Sequence, residues 1–144
     1  MKIWKQSFTL EGLDSMSANT LSETFDIKFV EFGDNYLIAE MPVTNKNVQP
    51  MRILHGGASV ALAETVGSIA SVLCLDDPTT NHPVGLDINA NHLRSVPEGG
   101  KVQAKVTPIH LGKKTHVWHI DITNEAGKMV CVSRLTMMIR KARI

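Results

Sequence analysis

Glu64 is the residue whose surroundings in this sequence most favour chemistry. It is the only formally charged side chain in the apolar run over residues 53–75. A buried carboxylate needs a partner or a task, because removing an unpaired charge from water is costly. Ser68 follows one helical turn later, so its hydroxyl shares a face with Glu64 and can orient the carboxylate. A structural ion pair at Glu64 is the alternative interpretation.

The triplet His55-Gly56-Gly57 stands where this apolar run is expected to begin a helix. The first N–H groups of a helix lack intrahelical partners, and they favour a carbonyl oxygen that gains negative charge. Glycine also lets a substrate approach the backbone closely. A capping histidine followed by a simple turn is the alternative.

The spacing of these groups predicts an active site shared by two chains. Glu64 follows His55 by nine positions, which is about 13 Å along a helix and roughly half a revolution around it. Within one chain the helix N-terminus and Glu64 can hardly act on the same carbonyl. Two helices related by a two-fold axis solve this, one supplying amides and the other the carboxylate.

The elements that must position these groups are a short helix over residues 9–16 with Thr9 as its N-cap, one long helix and several strands. Six segments are predicted strands: residues 24–31, 35–43, 84–93, 101–111, 115–123 and 128–139. The turn formers at 97–100, 112–114 and 124–127 favour antiparallel neighbours. The sequence thus predicts an α+β fold with the long helix on one face of a curved antiparallel sheet. Because that helix is apolar nearly all round, we also infer a second subunit.

The bulk properties predict one domain over residues 1–144 and argue against nucleic-acid and membrane binding. A formal net charge of +1 gives no electrostatic footprint for nucleic acid. Residues 53–75 are long enough to span a bilayer, but Glu64 near their midpoint favours a helix buried in protein. Cys74 and Cys131 lack metal or redox spacing, and the N-terminus lacks the apolar core of a signal peptide. We therefore expect a cytoplasmic protein that does not bind a membrane.

The segment from Gln49 to Ser68, QPMRILHGGASVALAETVGS, resembles the hotdog-fold thioesterases. Within them it is similar to the 1,4-dihydroxy-2-naphthoyl-CoA and 4-hydroxybenzoyl-CoA hydrolase group, and the resemblance continues through VGLDINANH at 84–92 and SRLT at 133–136. It implies a sheet wrapped around a central helix, and homodimers that pair into tetramers. It also implies hydrolysis of an acyl-CoA, with an aromatic acyl group and a place in menaquinone biosynthesis among the expectations, and no cofactor.

The resemblance also implies residue roles. Glu64 is the nucleophile or general base on the thioester carbonyl, and Ser68 assists the hydrolytic step. The Gly56 N–H polarises the carbonyl oxygen, while His55 and Gln49 support the substrate and the thiolate.

Four further residues are expected along the path of CoA and the acyl group. His92 and Arg94 match positions beside that path. At Met51 and Arg52 the sequence departs from the Phe-Gly that usually follows Gln-Pro in the family, in a loop that borders the acyl pocket.

Other functions find less support in the sequence. Its histidines show no metal-ligand spacing, and His116 and His119 should face opposite sides of a strand. Walker A, GxGxxG and G-x-S-x-G motifs are absent. Three alternatives stay open: a non-catalytic acyl-CoA sensor, a broad-range acyl-CoA hydrolase, and a hydratase, although the Asp-His pair of hotdog hydratases is not found.

Overall fold

The computed structural model describes residues 1–143. Its helices are α1 (Leu10–Ser15), α2 (Leu21–Thr24) and α3 (Gly56–Leu73). Its strands are β1 (Lys28–Phe32), β2 (Leu37–Pro42), β3 (Asn81–His92), β4 (Lys101–Leu111), β5 (Thr115–Asn124) and β6 (Met129–Lys141).

Helix α3 is the long helix that the apolar run predicted. His55 is its N-cap, with the side chain accepting from the Gly57 N–H. Small residues let the sheet approach it closely: a Cβ on Gly67 would collide with the side chain of Leu135. By length and composition the helix could cross a membrane, and half of it is buried inside the protein.

All strand pairs are antiparallel, and the sheet order is β1-β2-β4-β5-β6-β3. Strand β5 shows how the sheet holds α3, because His116, Trp118, Ile120 and Ile122 are buried while the residues between them are less so. This arrangement confirms the hotdog fold.

The expectation that β3 and β4 are neighbours is wrong. Strand β3 pairs with β6, from Asn81↔Lys141 to His92↔Cys131. In the connection over 93–100, Val96 is buried. Strand β3 thus forms an edge of the sheet.

The N-terminal segment departs from the predicted strand over 24–31. Residues 21–24 form α2, and the Ile27 N–H donates to the Ser22 carbonyl at 2.9 Å. Asp26 adopts a φ of 55°, which breaks an extended chain, so β1 begins only at Lys28. The predicted helix over 9–16 is confirmed, with Thr9 capping Gly12 N at 3.0 Å.

A buried polar chain joins α3 to the sheet. The indole N–H of Trp118 donates to Ser71 Oγ at 2.7 Å, and Ser71 Oγ lies 3.1 Å from His116 Nδ1. Because the hydroxyl accepts from Trp118 and still has its own proton, it can donate that proton to Nδ1 of a neutral His116.

Candidate active site

The carboxylate of Glu64 lies against strand β3. A Cβ on Gly85 would collide with Glu64 Oε1, so only glycine at 85 leaves the carboxylate its present position. The strand is irregular at this point, since the pairing with β6 shifts between Gly85 and Asp87 and leaves Leu86 as an extra residue. Bulges of this kind are frequent beside active sites. Within residues 1–143, Glu64 makes no side-chain hydrogen bond or ion pair.

One apolar cavity opens beside Glu64, and we call it the Glu64 chamber. Its volume is about 420 Å³, within the usual range for small-molecule sites. Its wall is mostly apolar and also carries hydroxyl side chains. The residues come from α3, from β1 and from the segment that joins α1 to α2 and begins α2: Met16, Ser17, Thr20, Leu21, Ser22, Phe29, Ala61, Thr65, Ser68 and Ile69.

Ser68 shares the chamber but does not hold the carboxylate. Its hydroxyl donates to Met137 Sδ at 3.8 Å rather than to Glu64. The predicted orienting bond is therefore not formed, because the serine rotamer directs the oxygen toward the sheet.

A second cavity surrounds the N-terminus of α3, and we call it the Gly56 pocket. It measures about 460 Å³ and contains Gln49, Gly56, His92 and Arg94, four residues that the sequence predicted to be functional. The His92 ring covers the helix terminus, because a Cβ on Gly56 would lie 2.9 Å from His92 Nε2. Ser59 also lines this pocket. Arg94 has no ion-pair partner among residues 1–143.

His55 and Gln49 are fixed by local hydrogen bonds. The His55 Nδ1 atom accepts from Gly57 N at 2.8 Å, so a neutral His55 carries its proton on Nε2 and caps the helix. Its ring faces another cavity beside Gly57 and Lys46. The side-chain oxygen of Gln49 accepts from the Met51 N–H, which leaves its amide NH₂ for the Gly56 pocket.

Met51 and Arg52 line neither the Glu64 chamber nor the Gly56 pocket. Met51 is 78% exposed. The Arg52 guanidinium is held by Glu98, at 2.9 Å from Nε and 2.8 Å from an Nη atom. That these two residues contact the acyl group or CoA stays a prediction.

The two halves of the predicted site are thus separate within one chain. No residue in the described part of the chain lines both the Glu64 chamber and the Gly56 pocket. Gly56 and Glu64 are eight residues apart on α3, which corresponds to about 12 Å along the axis. The separation agrees with the distance argument made from the sequence.

The described residues include two free thiols, Cys74 and Cys131. Burial raises the pKa of the Cys74 thiol to about 12 and also raises that of Cys131, so neither is an activated nucleophile. No cluster of three metal-ligating side chains occurs over residues 1–143.

Sequence reasoning missed Gly85 and the α1–α2 segment as parts of the site. A glycine inside a predicted strand was the available signal for Gly85, because such glycines often mark a bulge or a close approach. For the segment the signal was weaker: apolar residues such as Met16 and Leu21 in a polar stretch with little periodicity.

The fold is a hotdog fold, and comparison with known proteins gives the family of the chain. A model of the Thioesterase superfamily matches residues 51–131. The chain belongs to this superfamily and is a thioesterase.

Three relatives extend the comparison. The chain is 47% identical to 1,4-dihydroxy-2-naphthoyl-CoA hydrolase of Escherichia coli, over 95% of this chain and 98% of the relative. A thioesterase structure from Haemophilus influenzae is 49% identical with a TM-score of 0.92, covering 96% and 95% of the two chains. A Q49A mutant thioesterase from Pseudomonas aeruginosa is 43% identical with a TM-score of 0.94, covering 98% and 100%.

Proposed function

We propose that this thioesterase hydrolyses an aromatic acyl-CoA to the free acid and CoA, with Glu64 as nucleophile or general base. The observation that carries the proposal is the Glu64 carboxylate, free of hydrogen-bond partners within residues 1–143, at the wall of an apolar cavity of about 420 Å³. An apolar acyl group fits such a cavity, whereas the hydrophilic nucleotide part of CoA must stay outside it.

The chamber also suits ring hydroxyls. Ser17 and Ser22 line it, and neither side chain makes a hydrogen bond within residues 1–143. Free hydroxyls can pair with oxygen substituents on the acyl ring. Together with the 47% identity to the Escherichia coli naphthoyl-CoA hydrolase, this favours 1,4-dihydroxy-2-naphthoyl-CoA, and with it menaquinone biosynthesis, over hydroxybenzoyl or phenylacetyl thioesters.

Two routes use Glu64. In the first, its carboxylate oxygen attacks the thioester carbonyl, the C–S bond breaks and water hydrolyses the resulting anhydride. In the second, Glu64 takes a proton from water, whose oxygen attacks the carbonyl before the C–S bond breaks. Single-turnover hydrolysis in oxygen-labelled water separates the routes, since only the first places label in the Glu64 carboxylate.

The carbonyl oxygen needs donors, and we assign this role to the Gly56 N–H of a second subunit. Strand β3 is an edge strand that carries Gly85 beside Glu64 and His92 beside Gly56. Antiparallel pairing of two β3 strands about an axis between Ile88 and Asn89 brings Gly85 of one subunit opposite His92 of the partner subunit. The Glu64 chamber then meets the Gly56 pocket of the second chain.

Gln49 and His55 belong to the second half of this composite site. The free amide NH₂ of Gln49 can donate to the thioester or to the departing thiolate. The Pseudomonas aeruginosa thioesterase structure has a substitution at a glutamine with the same number, which supports a functional role for Gln49. We assign CoA contacts to His92 and Arg94.

Subunit mixing tests the composite site. Glu64→Ala and Gly56→Pro should each abolish activity: proline is tolerated at the first position of a helix and removes the N–H there, and its Cβ also displaces the His92 ring. A mixed dimer holds one intact site if Glu64 and Gly56 come from different chains, so activity should return. Verified mixed dimers without activity would contradict the shared site.

Thiol release from an acyl-CoA panel tests the activity. We expect hydrolysis of naphthoyl, hydroxybenzoyl, phenylacetyl and medium-chain thioesters, with the highest kcat/KM for the naphthoyl thioester. Glu64→Ala should lower kcat by at least about 10³. Similar rates on all members would favour a broad-range hydrolase. Tight binding of one member without hydrolysis would favour a sensor.

The assembly and its location are part of the proposal. We expect a homodimer that pairs into a tetramer, in the cytoplasm, without nucleic acid or membrane. Light scattering gives the mass in solution, and fractionation of cells gives the compartment.

A further inference from the structure

We propose that Leu21 limits the length of the acyl group by closing the Glu64 chamber. This inference rests on the proposed function, since it assumes that the acyl group occupies the chamber. Leu21 is the first residue of α2 and is 51% exposed, so core packing does not explain a large apolar side chain at this position.

Leu21 stands between two cavities on the same side of α3. It lines the Glu64 chamber of about 420 Å³ and also a second cavity of about 300 Å³, which we call the His55 cavity. Among residues 1–143, Ala61 on α3 is the only other one that lines both. Because alanine contributes a single methyl group, the Leu21 side chain forms most of the partition.

The His55 cavity is suited to continue an acyl group rather than to begin one. Phe25, Val48 and Ala58 give it apolar walls, while Lys46, Asn47 and His55 stand at its polar part. Glu64 does not line it. A thioester carbonyl positioned at Glu64 therefore directs a short or ring-shaped acyl group into the chamber, and a longer chain meets Leu21.

Removal of the partition should open a continuous apolar groove along α3. An acyl chain that extends past residue 21 then gains apolar burial, roughly four-fold in selectivity for each methylene that leaves water. An aromatic acyl group already fits the chamber and gains nothing.

The experiment compares kcat/KM for benzoyl-CoA with that for straight-chain thioesters up to myristoyl-CoA. Leu21→Ala should raise the myristoyl-to-benzoyl ratio by at least about ten-fold, and Leu21→Phe should lower it or leave it at its wild-type value. Met16→Ala is the matched control, because Met16 is also exposed, at 58%, and lines the Glu64 chamber but not the His55 cavity. It should leave the dependence on chain length unchanged.

A second variant tests the route of the long chain. Adding Phe25→Ala to Leu21→Ala should lower the myristoyl rate more than the benzoyl rate. A Leu21→Ala enzyme that is folded and active on benzoyl-CoA but keeps the wild-type ratio would overturn the role of Leu21.

The proposed function can fail separately. If the wild-type protein hydrolyses none of the thioesters, that proposal is wrong, and the role of Leu21 is then read from the Kd of each acyl-CoA by calorimetry. The same ten-fold shift in the affinity ratio supports the partition, and an unchanged ratio contradicts it.

Discussion

Glu64 Oε1 and the backbone of Gly85 are in such close contact that a methyl group on residue 85 would overlap the carboxylate. The contact joins α3 to an edge strand that is distant in sequence. It means that the position of the proposed catalytic oxygen depends on a residue without a side chain.

Gly85→Ala should therefore displace the Glu64 carboxylate and lower kcat by at least about 10², in line with the loss of a positioned base. The double variant with Glu64→Ala provides the control. If residue 85 acts only through Glu64, Gly85→Ala causes no further loss in the Glu64→Ala background. An additive loss would show that the strand itself is disturbed.

Ser71→Ala should lower the free energy of unfolding by about 1–3 kcal/mol, because it leaves the buried Trp118 N–H and His116 Nδ1 without their partner. Urea denaturation measures the change. Ser95→Ala, at an exposed position, should change stability by less than about 0.5 kcal/mol. Equal effects of the two substitutions would show that the buried hydrogen bonds of Ser71 do not stabilise the fold.

The stability of the fold should depend on pH through His116. Burial lowers the pKa of His116 below its usual 6.5, nearby His110 acts in the same direction, and a hydrogen bond with the Gly112 backbone opposes them. The unfolded chain thus takes up a proton at a higher pH than the folded one. Stability from this group is complete above pH 6.5 and is lost as pH falls from 6.5 toward the lowered pKa of the folded state.

His116→Asn should flatten this pH dependence, because the Asn side-chain oxygen can replace Nδ1 as acceptor and does not titrate. Urea midpoints over the acid range give the measurement. His82→Asn, at an exposed position, serves as the control and should keep the wild-type slope. An unaltered slope in His116→Asn would assign the pH dependence to another group.

Arg52 and Arg94 should differ in their effect on substrate binding. Arg52 is engaged by Glu98 and has a φ of 62°, a conformation that glycine adopts without strain. Arg52→Gly should leave the KM for acyl-CoA unchanged and alter stability by less than about 1 kcal/mol. Arg94→Ala should raise KM by about ten-fold, as expected when a charged contact to a phosphate is lost.

A steady-state comparison on one acyl-CoA checks both variants, with circular dichroism to verify folding. A raised KM in Arg52→Gly would indicate that the loop at 51–52 contacts the substrate. An unchanged KM in Arg94→Ala would remove Arg94 from it.

Much of the fold followed from local pattern. The strand over 101–111 was predicted with its observed bounds, and α3 begins at Gly56 as the glycine pair indicated. The alternation of apolar residues was misleading only near Phe25, where a short helix and the left-handed Asp26 interrupt what looks like a strand.

The remaining features depend on contacts between distant residues. The pairing of β3 with β6 joins residues that are 39 to 60 positions apart, from His92↔Cys131 to Asn81↔Lys141, and hydrophobic periodicity does not indicate which strands pair. The closeness of Gly85 to Glu64 follows from that pairing. A lone charge in an apolar run identified Glu64 in advance, but the neighbour that leaves it room could be found only in three dimensions.

The separation of the Gly56 pocket from the Glu64 chamber has a consequence for the living cell. If an active site exists only where two chains meet, a dilute protein is mostly inactive monomer. At low abundance the rate of hydrolysis then grows with the square of the number of chains rather than in proportion to it. A cell that halves its supply would then lose three-quarters of the flux, so expression level itself becomes a steep control on thioester breakdown.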